Sequence, residues 1–159
     1  MIQHIKVIWK FQKKQKKYKL NYVIWAITKK NPFKKKSKIK LITRIKFAKK
    51  IIGLNKFIKI RFYEKKTKSN KTIDLIRYIK RKNTISDLYF IMGADNLINF
   101  HRWHKWKLIS QKCNIIVFDR LGYKTNSLKS IAFKRLNQKN LEFIKFKKVN
   151  ISSSQLRKI

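Results

Sequence analysis

The chain has 159 residues, 43% of them hydrophobic and 13% aromatic, which suits one domain with a real core and excludes a disordered chain. No apolar run reaches the roughly 18 uncharged residues that span a bilayer, and no signal-peptide pattern opens the chain, so a cytoplasmic protein with no membrane partner is expected. The formal net charge of +38, from 44 Lys and Arg against 6 Asp and Glu, would attract any polyanion.

Taken in chain order, residues 13–19 are rich in Lys and Gln and come nearest to low complexity. A first strand is predicted over 22–28, where β-branched and aromatic residues cluster, and a helix over 37–52. A second strand follows at 57–62, a short loop at 65–71 and a helix at 72–82. The third strand, 88–92, leads into a helix over 96–110; the fourth, 114–118, leads into a helix over 126–136; and the fifth covers 141–146. Strand and helix alternate, which predicts an α/β fold: a Rossmann-like doubly wound parallel sheet, with ligands bound beyond the carboxyl ends of the strands. No linker or internal repeat divides the chain, so a single domain over 1–159 is expected.

The lysines are spread through every segment, and the other abundant residues are Ile, Asn, Phe and Tyr. All have codons dominated by A and T, so the charge reads as the imprint of an AT-rich genome, and any attraction to nucleic acid as non-specific. A lone cysteine, Cys113, can neither form an internal disulfide nor complete a metal motif, and is expected to be a small buried hydrophobe.

The most informative stretch follows the third strand: Gly93-Ala94-Asp95-Asn96-Leu97, then Phe100-His101-Arg102-Trp103-His104-Lys105-Trp106. Gly93 would let a ligand approach the backbone, Asp95 could accept from ribose hydroxyls, and Trp103 offers a flat face to a heteroaromatic ring. The same residues also fit a plainer reading, in which Asp95 caps a helix and the tryptophans are core residues three apart.

This stretch resembles the GADN and FHRW signature of bacterial nicotinate-nucleotide adenylyltransferases. Four further segments are similar to motifs of that family, in its order: Trp25 to Lys34 resembles the strand and NPLK-type loop, and Lys71-Thr72-Ile73-Asp74-Leu75 the TYTIDT segment. Val117-Phe118-Asp119-Arg120-Leu121-Gly122-Tyr123 resembles the VFDRPGY turn, with Leu121 for Pro. Ile151-Ser152-Ser153-Ser154-Gln155-Leu156-Arg157 resembles ISSTxIR. The last has its own chemical logic, since hydroxyls and unpaired N–H groups at a helix start, with an Arg one turn on, favour phosphate oxygens; a capped terminal helix is the plainer alternative.

The resemblance covers residues 20–159 and implies transfer of an adenylyl group from ATP, accompanied by Mg2+, to nicotinate mononucleotide. It implies that Gly93 and Asp95 bind nucleotide, with Asp95 on a ribose. Thr72 and Trp103 would contact the nicotinate portion, Ser153 and Arg157 the ATP phosphates, and Lys34 is a weaker phosphate candidate. Residues 1–19 depart from the pattern. The family opens with a strand and a GGSFDPxHxGH loop, whose glycines surround phosphate and whose histidines donate where negative charge builds. Neither loop nor histidine pair stands in this sequence, and His4 is not followed by Gly-His. Permitted codons for residues 1–14, completed by the first two bases of the Gln15 codon and read from the third base of the initiating ATG, give DPTHKGHLEISKKA, the missing loop and the start of its helix. A single-base slip in the A-rich codons of residues 13–19 is therefore expected, and with it an inactive chain or a gene remnant. A small basic RNA-binding protein would share the charge and aromatics, but no RNP, KH or zinc-knuckle pattern accompanies them.

Overall fold

The computed structural model describes residues 15–29, 39–83, 87–119 and 122–145. They divide into two compact units, one up to Asn70 and one from Lys71 onward.

In the first unit a short helix, α1 (Gln15–Tyr18), precedes β1 (Val23–Ala26). The helix α2 (Leu41–Ile52) and the strand β2 (Ile58–Arg61) follow, and β1 pairs with β2 in parallel, Val23 opposite Ile58 and Ala26 opposite Arg61. Parallel pairing demands a crossover, and α2 lies between the two strands in sequence. It buries Ala48 and Ile52, four residues apart on one face, while Val23, Ile27 and Ile58 are buried from the strand side. Gly53 ends α2 at φ 55°, where a side chain would be strained. The segment read as a loop at 65–71 begins inside a single turn of helix, α3 (Glu64–Thr67). Its Thr67 hydroxyl donates to the Tyr63 carbonyl, and Lys68 closes the turn in the left-handed region.

The second unit holds a three-stranded parallel sheet in the order β3 (Tyr89–Gly93), β4 (Asn114–Phe118), β5 (Leu141–Ile144). The middle strand, Asn-Ile-Ile-Val-Phe, is buried from Ile115 to Phe118, as expected of a strand covered on both faces. Ile115 and Val117 share a core with Ile73 and Ile76 of α4 (Thr72–Lys82), with Met92, and with Ala94 and Leu97 of α5 (Ala94–Ile98). The core is completed by Phe100, Ile109, Cys113, Ala132 and Leu136.

Both helices predicted after β3 and β4 are broken. Over 96–110 the chain forms α5, a 3-10 turn (Phe100–Arg102) and α6 (Trp106–Lys112), with Lys105 at φ 52° before α6. Over 126–136 it forms α7 (Lys124–Leu128) and α8 (Ile131–Arg135). There the Ser130 hydroxyl donates to the Ser127 carbonyl and accepts from the Phe133 N–H, starting a new helix where a continuous one was expected.

Cys113 is the small buried hydrophobe the sequence suggested, its thiol donating to the Ile109 carbonyl at 3.0 Å. Burial pushes the thiol up from 9.0 to about 12, an effect that outweighs the opposing field of Lys80. Because the folded state holds this proton more tightly, its stabilising contribution is complete below pH 9 and is lost as pH rises toward 12. Alkylation by iodoacetamide at pH 8 is therefore expected to be slow in native protein and to accelerate at least tenfold in denaturant. Equal rates in the two states would contradict the burial.

Candidate active site

The carboxyl edge of the three-stranded sheet is set by its register. Gly93, the last residue of β3, lies opposite Phe118, the last residue of β4. The segments that leave these strands, Ala94-Asp95 and Asp119, therefore start side by side. Helix α4 precedes β3 in the chain, and its first turn carries Thr72. Ile73, the next residue, is fully buried in one cluster with Met92 and Ala94. Thr72 itself is half-buried.

Gly93 has φ −83° and ψ 157°, a conformation open to any residue. Its need for a bare Cα comes from elsewhere: a Cβ built there would run into Oδ1 of Asp95. The Asp95 carboxylate is thus folded back over the end of β3, two residues from its own backbone, in space only glycine leaves open. Asp95 is the second residue of α5, and the cap position belongs to Gly93, which gives no side-chain hydrogen bond. The simple N-cap reading of Asp95 therefore fails, while its carboxylate in the first turn still faces the positive end of the local backbone dipoles.

Trp103 follows the 3-10 turn and is half-buried. It meets Phe90 edge-on at a centroid distance of 5.9 Å and Phe100 at 5.4 Å, and Phe100 in turn meets Trp106 at 6.0 Å. T-shaped contacts of this kind help fix the plane of an indole. Trp103 and Trp106 do not share a helix: Trp103 follows the 3-10 turn, Trp106 opens α6, and both meet the fully buried Phe100. His101 is tied to the Ile98 carbonyl at 3.1 Å, and His104 is exposed.

Past β4, Gly122 stands at φ 80°, so the turn after Asp119 needs glycine. Asp119 donates its backbone N–H to the Ile144 carbonyl at 3.0 Å, which continues the ladder with β5. One of its carboxylate oxygens is buried without a hydrogen-bond partner among the described residues. The sequence reading gave Asp119 no separate role, although its place directly after a buried strand, in a chain with six acids, was a usable signal.

In the first unit, the backbone at Lys29 is pinned twice. Its N–H donates to Glu64 Oε1 at 2.8 Å, and its carbonyl accepts from Arg44 Nη2 at 2.6 Å. This anchors the start of the loop that carries Lys34 in sequence. Lys34, Ser153 and Arg157 lie outside the described residues. Among the described residues, no three His, Cys, Asp or Glu side chains gather as a metal site, and no helix is long and apolar enough to cross a membrane.

A sequence model of the cytidylyltransferase-like family matches residues 3–159. A Pelagibacter ubique protein described as "Probable nicotinate-nucleotide adenylyltransferase" is 65% identical over 140 residues, 88% of this chain and 77% of that protein. The chain belongs to the nicotinate-nucleotide adenylyltransferase family. Proteins of the same description from a Nitratiruptor species and from Agrobacterium fabrum are 34% and 32% identical, over 66% and 77% of this chain and 60% and 66% of theirs. The fold matches a Plasmodium falciparum nicotinic acid mononucleotide adenylyltransferase complexed with NaAD at a TM-score of 0.66 and 20% identity, covering 93% of this chain and 75% of that one. The same enzyme complexed with APC matches at 0.63. In the family's terms, the predicted Rossmann-like architecture stands, and its GADN segment is the strand end and first helical turn that hold Gly93 and Asp95.

Proposed function

We propose that this protein acts in the cytoplasm to join the adenylyl group of ATP to nicotinate mononucleotide, giving nicotinate adenine dinucleotide and pyrophosphate. The observation that carries the reading is the carboxyl edge of the second unit. There Gly93 leaves room for Asp95, and in the same unit Trp103 is held edge-on against Phe90 and Phe100, in a chain 65% identical to a relative of that description.

In the reaction a phosphate oxygen of nicotinate mononucleotide forms a bond to the α-phosphorus of ATP, and the bond from that phosphorus to the bridging oxygen breaks, releasing pyrophosphate. The nucleophile is already an anion, so catalysis needs in-line positioning and charge stabilisation, with no protein nucleophile. Asp95 is assigned to ribose hydroxyls, which donate to a carboxylate. Thr72 and Trp103 are assigned to the nicotinate portion, one by its hydroxyl and one by its ring face. Ser153 and Arg157 are assigned to the triphosphate, and Lys34 to phosphate as a point charge. Mg2+ fits this scheme as part of the ATP substrate, bound by its phosphate oxygens. The net charge of +38 favours capture of both anionic substrates. It also predicts salt-sensitive, sequence-independent retention of nucleic acid.

The test separates the two substrates. In a version carrying the reframed DPTHKGH segment, Trp103→Ala is expected to weaken nicotinate mononucleotide by about 10- to 100-fold, the worth of stacking on an aromatic platform. ATP affinity should change by less than about threefold. Dissociation constants from calorimetry decide the matter: equal losses for both substrates would make Trp103 a structural residue only.

A further inference from the structure

The chain holds three glycines, and the fold calls for two of them on one ground and for the third on another. Gly53 stands at φ 55° and Gly122 at φ 80°, and a Cβ built at either would meet nothing within 4 Å, so the backbone angle alone requires glycine there. Gly93 is the reverse case. Its φ of −83° and ψ of 157° suit any residue, and the obstacle to a Cβ is a single group, Oδ1 of Asp95 with Cγ behind it at 3.7 Å. Chain neighbours aside, no other atom of the described residues comes within 4 Å of that position. The register shows which side of the sheet this is. Met92 and Val117 are partners and share the core of the second unit, whereas Gly93 is the partner of Phe118, so by alternation its missing side chain would point away from that core. The Asp95 carboxylate thus fills the place above Gly93 at the carboxyl end of β3, the end at which sheets of this kind bind ligands.

We propose that Gly93 is a positioning residue that acts on the bound nucleotide through Asp95: by carrying no Cβ it lets the carboxylate fold over the end of β3, and the ligand meets that carboxylate rather than the glycine backbone. The proposal rests on the adenylyltransferase reading, which assigns Asp95 to a ribose, and adds to it the residue that sets where the carboxylate stands. The space above a glycine takes one occupant. The sequence suggested a ligand approaching the backbone; the structure puts Asp95 Oδ1 there. The backbone around Asp95 has little freedom to answer a methyl group at position 93, since Ala94 is fully buried and Asp95 itself lies in the first turn of α5. The carboxylate must therefore yield by turning about its own two side-chain bonds. Such a turn costs the fold little, because only the end of one side chain gives way. It costs a hydrogen bond from a ribose hydroxyl much more, because the distance and angle at the acceptor are narrowly limited.

The test is a double-mutant cycle on the 159-residue chain, with dissociation constants for ATP and for nicotinate mononucleotide measured by calorimetry. Both ligands are anions, so removing a nearby negative charge would by itself tighten them, and a loss reports the hydrogen bond. Asp95→Ala is expected to weaken at least one of the two by about 10- to 100-fold, the usual worth of a hydrogen bond to a charged group. Gly93→Ala should weaken the same ligand to within about threefold of that value. In the Asp95→Ala background, adding Gly93→Ala should cost less than about threefold, since no carboxylate is left to displace. The Tm of Gly93→Ala should hold or rise by about 2 °C, because alanine restricts the unfolded chain more than glycine does. A Gly93→Ala loss that is as large without the Asp95 carboxylate as with it means that the ligand meets Gly93 directly, and overturns the proposal while the functional reading stands. So does unchanged binding by Gly93→Ala where Asp95→Ala weakens a ligand, or a Tm lowered by more than about 4 °C with both ligands weakened alike. If Asp95→Ala weakens neither ligand, the ribose assignment of Asp95 falls and the proposal with it. A parent chain that binds neither ATP nor nicotinate mononucleotide overturns the functional reading and the proposal together.

Discussion

A version in which GGS-type residues and the DPTHKGHLEISKK segment replace residues 1–14 is expected to release pyrophosphate from ATP and nicotinate mononucleotide at least about 100-fold faster than the 159-residue chain by itself. The reason lies in the transition state. As the α-phosphorus passes between two oxygens, charge gathers on oxygens that glycine-loop N–H groups and two histidines are built to meet. Losing even one preorganised donor costs roughly 100- to 1000-fold in rate. The sequence as it stands supplies no Gly-rich turn and no His-x-Gly-His pair. None of its three histidines substitutes: His101 is committed to the Ile98 carbonyl, His104 is exposed on the segment after Trp103, and His4 has no Gly-His after it. A continuous pyrophosphate assay on the two purified chains decides the point. Comparable turnover would overturn both the role given to the loop and the inference of a shifted frame.

Phe100→Ala is expected to destabilise the second unit by about 3–5 kcal/mol, the usual cost of emptying a large aromatic site in a packed core. Phe100 is fully buried, sits on a three-residue 3-10 turn, and is the shared edge-on partner of Trp103 and Trp106. Its removal leaves a cavity and takes from both indoles the edge-on partner they share. Set against a typical stability of about 5–15 kcal/mol, the loss leaves a marginal fold. Urea denaturation followed by tryptophan fluorescence should show a lower midpoint and an altered native spectrum. A midpoint within about 0.3 M of the parent would mean that the aromatic group is not the keystone described. Phe100→Leu, which keeps much of the volume, should recover more than half of the loss.

The strands were legible because their signal is local. Val23–Ala26, Ile58–Arg61 and Leu141–Ile144 fall inside the segments predicted for them, and Asn114–Phe118 matches at both ends. Burial on both faces leaves little choice but a run of β-branched and aromatic residues, and such a run can be read without knowing what covers it. Thr72–Lys82 was equally legible, with Ile73 and Ile76 on one face and cations in the last turn. Gly93 and Asp95 stood out because Gly, Asp and a following helix at a strand end form a pattern with a chemical reason.

The amino-acid sequence by itself determined the alternation of strand and helix, the parallel pairing of strands, the inert cysteine and the family motifs, because each rests on neighbouring residues or on a fixed short period; that the strands form two sheets, of two and three strands, it did not. Only the tertiary structure decided the rest. It broke the helices after β3 and β4 at Lys105 and Ser130, where a left-handed residue and a hydroxyl cap redirect the chain. It assigned the glycine at 93 to making room for Asp95, since its backbone angles are ordinary and the constraint is a steric meeting between two side-chain positions. It also singled out Asp119, whose place in the motif was plain but whose unsatisfied oxygen was not. Whether a buried polar group has a partner depends on every atom that could reach it, and those atoms are brought together only when the strands pair and the helices close over them.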